Sequence, residues 1–259
     1  MLADSHCHLD RLDLTPYQND FARMVSETAE RGVDRMLCVS INLAKYSGMR
    51  HMIEPFPRIT ASVGVHPNEE VEREATVEEL AKLADDAKVV AIGETGLDYY
   101  RSEGNLSWQQ ERFRRHIRAE KICGKPLIIH TRDAREDTLR ILEEENAEVI
   151  GGVMHCFTED WDTAQRAMDM GFYISFSGIL TFKNAATIQE VARKMPEDRL
   201  LVETDSPYLA PIPFRGKPNY PAHVQHVARF LAELRGESFE RIAEVTTRNF
   251  NLLFASAPA

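Results

Sequence analysis

The sequence predicts an α/β protein folded as one closed (β/α)8 barrel domain over residues 1–259. Three observations carry that expectation. Short apolar runs alternate with helical stretches eight times, and such alternation implies a parallel sheet. No linker, low-complexity tract or change of composition divides the 259 residues, a length ordinary for a single barrel. No glycine-rich phosphate fingerprint follows an early run, which disfavours an open dinucleotide-binding sheet.

The elements follow in order. The opening segment from Leu2 to His8 forms the first strand. Residues i and i+2 of a strand share a face, so His6 and His8 reach one point while Cys7 turns away into the core. Two neutral imidazoles on one face make a seat for a divalent metal. Thr15-Pro16 starts a helix over 17–31, stopped by Gly32. Residues 35–40 form a buried strand, and a helix over 43–54 ends at Pro55 and Pro57. The strand over 59–65 delivers His66-Pro67. Thr76 and Glu79 form a capping box for a helix over 76–86.

The apolar run 89–93 is a buried strand ending in Glu94, followed by a loop rich in Gly, Asp and Tyr. Ser107 caps a long helix to Cys123, closed by Gly124 and Pro126. The strand over 127–129 ends in His130 and that over 149–154 in His155, with a helix over 134–145 between them. Asp160 caps a helix to Met170; the strand over 172–176, a helix over 185–195 and the strand over 200–204 follow, the last ending in Asp205. A loop with five prolines leads to helices over 222–235 and 238–254.

Bulk properties narrow the class. A net charge of −10 carries no basic signature of a duplex-binding protein, though it leaves room for an enzyme engaging a strand end. The four cysteines are scattered, with no CxxC, as expected of reduced thiols in the cytoplasm. A cleaved leader would remove His6 and His8, so export is not expected. The apolar runs are far too short to cross a membrane.

In barrels of this kind the chemistry sits at the C-terminal ends of the strands. Those ends carry His6, His8, His66, Glu94, His130, His155 and Asp205, including five of the nine histidines. Singly, each has a plainer reading: a packed imidazole, a turn-capping Glu94, a turn-starting Asp205 before Ser-Pro. Their convergence on one rim is what points to a metal centre. His51 and His116 fall within helices and are expected to face solvent. His223 and His226 are read as surface residues of an outer helix, and Cys156, like Cys7, as a packing residue.

The succession Asp4-Ser5-His6-Cys7-His8-Leu9-Asp10, Gly64-Val65-His66-Pro67, Gly93-Glu94-Thr95-Gly96-Leu97-Asp98, Ile129-His130-Thr131-Arg132, His155-Cys156-Phe157 and Glu203-Thr204-Asp205-Ser206-Pro207 resembles the TatD family of metal-dependent deoxyribonucleases, TIM barrels of the amidohydrolase type. The resemblance runs in order and spacing to Thr246-Thr247-Arg248-Asn249-Phe250. It implies two divalent ions. His6, His8 and Asp205 would hold one, His130 and His155 the other, with Glu94 bridging. Imidazole and carboxylate ligands suit Zn²⁺, Mn²⁺ or Mg²⁺ without choosing among them. Asp205 is also the candidate general base. Glu203 shares its face and would orient Asp205 or a water, or form a structural ion pair. His66 and Arg132 match phosphate contacts of the family, and a guanidinium fork fits phosphate oxygens; a rim salt bridge from Arg132 to Asp133 or Asp137 is the alternative. Lys183, Arg215 and Lys217 would flank a strand, and Tyr99, Tyr100, Phe157 and Tyr208 could stack bases.

The expected activity is thus a DNA exonuclease, 3′–5′ and preferring single-stranded ends. One alternative keeps the site but takes a small ester, amide, lactone or phosphoester. Glu94, where many amidohydrolase-type barrels carry a bridging lysine, argues for the nuclease branch. A non-catalytic metal scaffold is the remaining reading, but structural zinc sites are closed and cysteine-rich.

Overall fold

Eight parallel strands, hydrogen-bonded in chain order, form the sheet: β1 (Leu2–Cys7), β2 (Val33–Cys38), β3 (Ile59–Val63), β4 (Val89–Asp98), β5 (Leu127–Arg132), β6 (Gly152–Met154), β7 (Tyr173–Phe176) and β8 (Leu200–Val202). This computed structural model describes residues 1–255; the last four residues of the expected domain, 256–259, lie outside them. Helices α1 (Phe21–Glu30), α2 (Leu43–Ile53), α3 (Val77–Ala84), α4 (Ser107–Cys123), α5 (Arg135–Glu144), α6 (Trp161–Asp169), α7 (Ala186–Lys194), α8 (Val224–Arg235) and α9 (Phe239–Leu253) cover the sheet. No described helix is long and apolar enough to cross a membrane.

The strands bury both faces, and the period of two sorts them. Ala3, Leu37, Ile128, Val153 and Leu201 point into one cluster, closed by Phe250 of α9 and Phe254 just beyond it. Their neighbours Leu2, Met36, Cys38, Leu127, Ile129, Met154, Leu200 and Val202 point to the larger core shared with the helices. Further along the same strands lies a polar layer, in which Ser5 Oγ lies 3.1 Å from Ser175 Oγ and Ser62 Oγ donates to Gly93 O at 2.6 Å.

Among the described residues, the seam between β8 and β1 has no regular ladder. It is closed by a single bridge, Cys7 to Ser206, with Asp205 N–H donating to His6 O at 2.9 Å and His8 N–H to Ser206 O at 2.8 Å. The buried Asp4 carboxyl adds a second fastening, accepting from Thr204 N–H at 2.8 Å and Thr204 Oγ1 at 2.5 Å.

Several boundaries differ from expectation. The helix expected from Tyr17 begins at Phe21: Thr15–Tyr17 is an isolated 3-10 turn, Gln18 and Asn19 take positive φ, and Asp20 caps α1 by accepting from Arg23 N–H. Ser107 is the first residue inside α4, and Asn105 Oδ1 accepts its N–H. Residues 149–151 leave the sixth strand, a 3-10 turn taking Ala147–Val149. The largest difference is β4, which continues through Glu94 to Asp98 because β5 extends beside it to Arg132. Its register slips by one residue between Ile92 and Thr95, so Gly93 and Glu94 form a bulge. Bulges re-aim side chains, and this one turns Glu94 into the mouth of the barrel. A similar slip lies between Asp4 and Cys7, over Ser5 and His6.

Candidate metal centre

Glu94 stands at the middle of the mouth, 2% exposed. Its Oε2 lies 3.4 Å from His6 Nε2 and 3.7 Å from His8 Nε2. Its Oε1 lies 3.0 Å from His130 Nδ1, 2.9 Å from His155 Nε2 and 3.6 Å from His66 Nε2. Asp205, in a left-handed conformation (φ 54°), brings Oδ1 to 3.3 Å from His8 Nε2 and 3.6 Å from His6 Nε2. The structure therefore brings together all seven strand-end residues singled out above, on two sides of one carboxylate.

Close approach of β4 and β5 makes this possible. At Gly96 (φ 134°) an added Cβ would stand 2.0 Å from His130 O. Only glycine allows β4 to pass so near the backbone that carries His130.

The outer nitrogens show which ring atoms carry protons. His8 Nδ1 lies 3.1 Å from Val39 O, and a carbonyl can only accept, so its Nε2 presents a lone pair to the site. His155 Nδ1 donates to Glu203 Oε1 at 3.1 Å, again freeing Nε2. His130 is turned the other way round: Nε2 donates to Asp98 Oδ2 at 3.1 Å and Nδ1 faces Glu94. A carboxylate or carbonyl behind a ligating histidine is the usual means of fixing its tautomer. Among the described residues, the buried atoms without hydrogen-bond partners include His6 Nδ1, His155 Nε2 and Glu203 Oε2 at this mouth. A ring nitrogen facing a carboxylate oxygen at 2.9 Å, as at His155 and Glu94, calls for positive charge between them, a proton or a metal ion. Nitrogen and oxygen donors gathered in this way fit a divalent ion, with His6, His8, Asp205, Glu94, His130 and His155 as the groups that could hold it.

Electrostatics agree. Burial pushes Glu94 up, but His155, His66 and His130 outweigh it and hold the carboxyl well below its ordinary value. Asp205 is likewise lowered against burial by His8 and His6. Burial would lower His155, yet Glu94 and Glu203 hold it well above the ordinary histidine range. That negative field attracts positive charge in any form. His66 differs: burial dominates and takes it down to about 3.

Other expectations divide. Glu203 is fully buried and serves His155 and Cys156 N–H, not Asp205. Arg132 forms no ion pair among the described residues; its guanidinium stacks on Tyr100 at 3.7 Å, while Asp137 is taken by Tyr99 Oη and Arg140. Tyr100 and Tyr208 are exposed, by 62% and 46%, whereas Phe157 is buried against Phe176 and cannot stack a base. Lys183, Arg215 and Lys217 are exposed, Arg215 lying over the Phe182 ring. His51 is exposed as expected. His116 is buried, its Nε2 accepting from Val65 N–H at 3.0 Å. His223 is buried as well, stacked on Phe214 and bonded to Asn219. Cys156 sits half-buried beside Ser177 Oγ, outside the apolar core. Asp98 was not among the sequence candidates. Its signal is the period of two, which places it on Glu94's face once β4 is carried past Gly96.

Comparisons with known proteins point one way. The family described as TatD related DNase matches residues 3–255. The uncharacterized metal-dependent hydrolase YcfH of Escherichia coli (strain K12) is 50% identical over 253 residues, 98% of this chain and 95% of the relative. The 3'-5' ssDNA/RNA exonuclease TatD of Escherichia fergusonii is 30% identical over 249 residues, covering 94% of this chain and 96% of its own. Among solved structures, YjjV, a TatD homolog from Escherichia coli K12, superposes with a TM-score of 0.89 at 28% identity, covering 99% of this chain and 98% of that one.

Proposed function

The chain belongs to the TatD related DNase family of metal-dependent hydrolases, and we propose that it is a two-metal phosphodiesterase that trims single-stranded DNA from its 3′ end. One observation carries the reading: a single buried carboxylate, Glu94, faces two histidine groups through its two oxygens. His6, His8 and Asp205 would hold one ion and His130 and His155 the other, with Glu94 shared. Mg²⁺, Mn²⁺ and Zn²⁺ all suit these donors.

A pair of such ions supplies Lewis-acid chemistry to a phosphodiester and to water. The chain's own residues do the rest. Asp205, at the open edge of the site, takes the proton of the attacking water. Asp98 and Glu203 keep His130 and His155 in the tautomers that face inward. His66 donates from Nε2 to a phosphoryl oxygen, and Arg132 offers its fork to another while Tyr100 backs it. Exposed Tyr100 and Tyr208 suit stacking of unpaired bases, and Lys183, Arg215 and Lys217 give local positive charge on a chain of net charge −10. The relative named a 3'-5' ssDNA/RNA exonuclease supports the polarity and the strand preference. Free cysteines support a reducing, cytoplasmic setting. One domain carries the activity.

The test uses metal-stripped protein reloaded separately with Mg²⁺, Mn²⁺ and Zn²⁺ and given end-labelled single strands. A ladder receding from the 3′ end is expected, with at least about 10²-fold loss in Asp205→Ala and His155→Ala, both still folded. Intact DNA under all three metals would sink the reading and leave a small-molecule hydrolase.

A further inference from the structure

His66 is the one histidine of the mouth whose outer nitrogen accepts. Its Nδ1 takes the backbone N–H of Asn68 at 3.0 Å. A backbone amide can only donate, so Nδ1 has no proton and the neutral ring carries its hydrogen on Nε2, the atom aimed at Glu94 Oε1 3.6 Å away. His8, His130 and His155 are set in the opposite sense, with the proton on the outer nitrogen.

Helix α4 holds this arrangement from behind. Arg112, 3% exposed, donates through Nη1 to His66 O at 2.8 Å, Pro67 O at 3.2 Å and Glu69 O at 2.9 Å. Its other edge is anchored on Glu74, by Nε to Oε2 at 2.9 Å and Nη2 to Oε1 at 2.6 Å. One turn on, His116 Nε2 accepts from Val65 N–H at 3.0 Å, its own Nδ1 donating to Arg112 O at 2.8 Å. One turn back, Gln109 Nε2 donates to Asn68 Oδ1 at 3.1 Å. Residues 65–69 therefore have three of their carbonyls, one amide and one side chain tied to a single face of α4. A buried guanidinium spread over three carbonyls and one carboxylate fixes the backbone of this loop, which an apolar side chain, having no donor for those acceptors, could not do.

We propose that Arg112 and His116 are positioning residues which, by fixing the 65–69 loop, hold His66 as a permanent Nε2–H donor to a substrate oxygen and bar it from serving as a third-histidine metal ligand beside Glu94 and His130. The proposal rests on the phosphodiesterase reading for its substrate, but not for its tautomer or its metal count.

The test has two arms. In the first, imidazole ¹⁵N–¹H correlation spectra of apo and metal-loaded protein read the His66 tautomer directly, and metal per chain is measured in His66→Ala, His66→Gln and Arg112→Lys. A single Nε2–H tautomer, unmoved by metal, and unchanged metal content are expected; a proton on Nδ1, or metal lost from His66→Ala, overturns the proposal. In the second arm, bis(p-nitrophenyl) phosphate is the substrate. His66→Ala should lower kcat about 10²-fold, with His66→Gln, which keeps a donor at that place, recovering about tenfold. Arg112→Lys should cost about tenfold alone and nothing more in the His66→Ala background. An undiminished cost there overturns the positioning role. His116→Gln, which keeps an acceptor for Val65 N–H, should outperform His116→Leu. Should Arg112→Lys fail to fold, Glu74→Gln, which only loosens the guanidinium's anchor, carries the same expectations. Absence of turnover with every metal would refute the phosphodiesterase reading while the spectra and metal counts still decide this one.

Discussion

Glu120, on the inner face of α4, is the sharpest stability test in the molecule. It is fully buried, and neither carboxylate oxygen has a hydrogen-bond partner among the described residues. Burial pushes its pKa from 4.5 to about 9, with Lys121 lowering it and Glu148 raising it only slightly against that. Between those two values the folded protein keeps a proton that the unfolded chain has released. Stability present below pH 4.5 is therefore lost as pH rises towards 9, at about 1.4 kcal/mol per pH unit. At pH 7 the loss is about 3 kcal/mol. Glu120→Gln has the same shape and cannot ionise, so it should match the wild type near pH 4.5 and exceed it increasingly above. By pH 7 the difference corresponds to a Tm gain of about 6–12 °C for a chain of this size. Thermal melts of both proteins from pH 5 to pH 8, read by circular dichroism, measure it. A constant offset at every pH, or coincident melts at pH 8, would refute the reasoning, because either would mean that the carboxyl does not hold its proton in the fold.

Two further outcomes follow from the site. Glu203→Gln removes the carboxylate that receives His155 Nδ1–H and Cys156 N–H, and should weaken metal binding about 10- to 100-fold in a chelator competition titration; unchanged affinity would make Glu203 a purely structural group. Gly96→Ala drives a methyl into His130 O and forces a side chain into a strained conformation. It should cost more than about 2 kcal/mol in urea denaturation and reduce bound metal, and a wild-type melt would show that β4 and β5 can part without harm.

Legibility from the sequence varied with the range of the interactions. Strand-end residues such as His130 and His155 were readable because apolar runs locate strands and strand ends locate the mouth. Glu94 was found for the right region but the wrong position: the run 89–93 stops being apolar before the strand stops, since the partner β5, and not composition, carries β4 on to Asp98. That same extension hid Asp98. His116 and His223 were expected in solvent because helical sequence shows no sign of a loop or ring from elsewhere that buries them. Val65 N–H reaches His116 across 51 positions, and Phe214 stacks on His223 from a proline-rich loop with no regular pattern. Arg112 is invisible for a like reason: its partners are backbone carbonyls, which every sequence has, and Glu74, which lies 38 positions away.

The weak seam between β8 and β1 has a consequence for synthesis. The proposed seat of His6, His8 and Asp205 draws its donors from β1 and the segment just after β8, the ends of the barrel farthest apart in the chain, and Asp4 finds Thr204 across 200 positions. Before the ribosome reaches Asp205, seven consecutive strands can zip together, yet that seat has only two of its three side chains. On the proposed assignment, competence to hold an ion at this seat would arrive with ring closure itself. A stalled or truncated product that lacks Asp205 would carry His6 and His8 without the carboxylate proposed to complete the site, so an unfinished chain would also be an unarmed one.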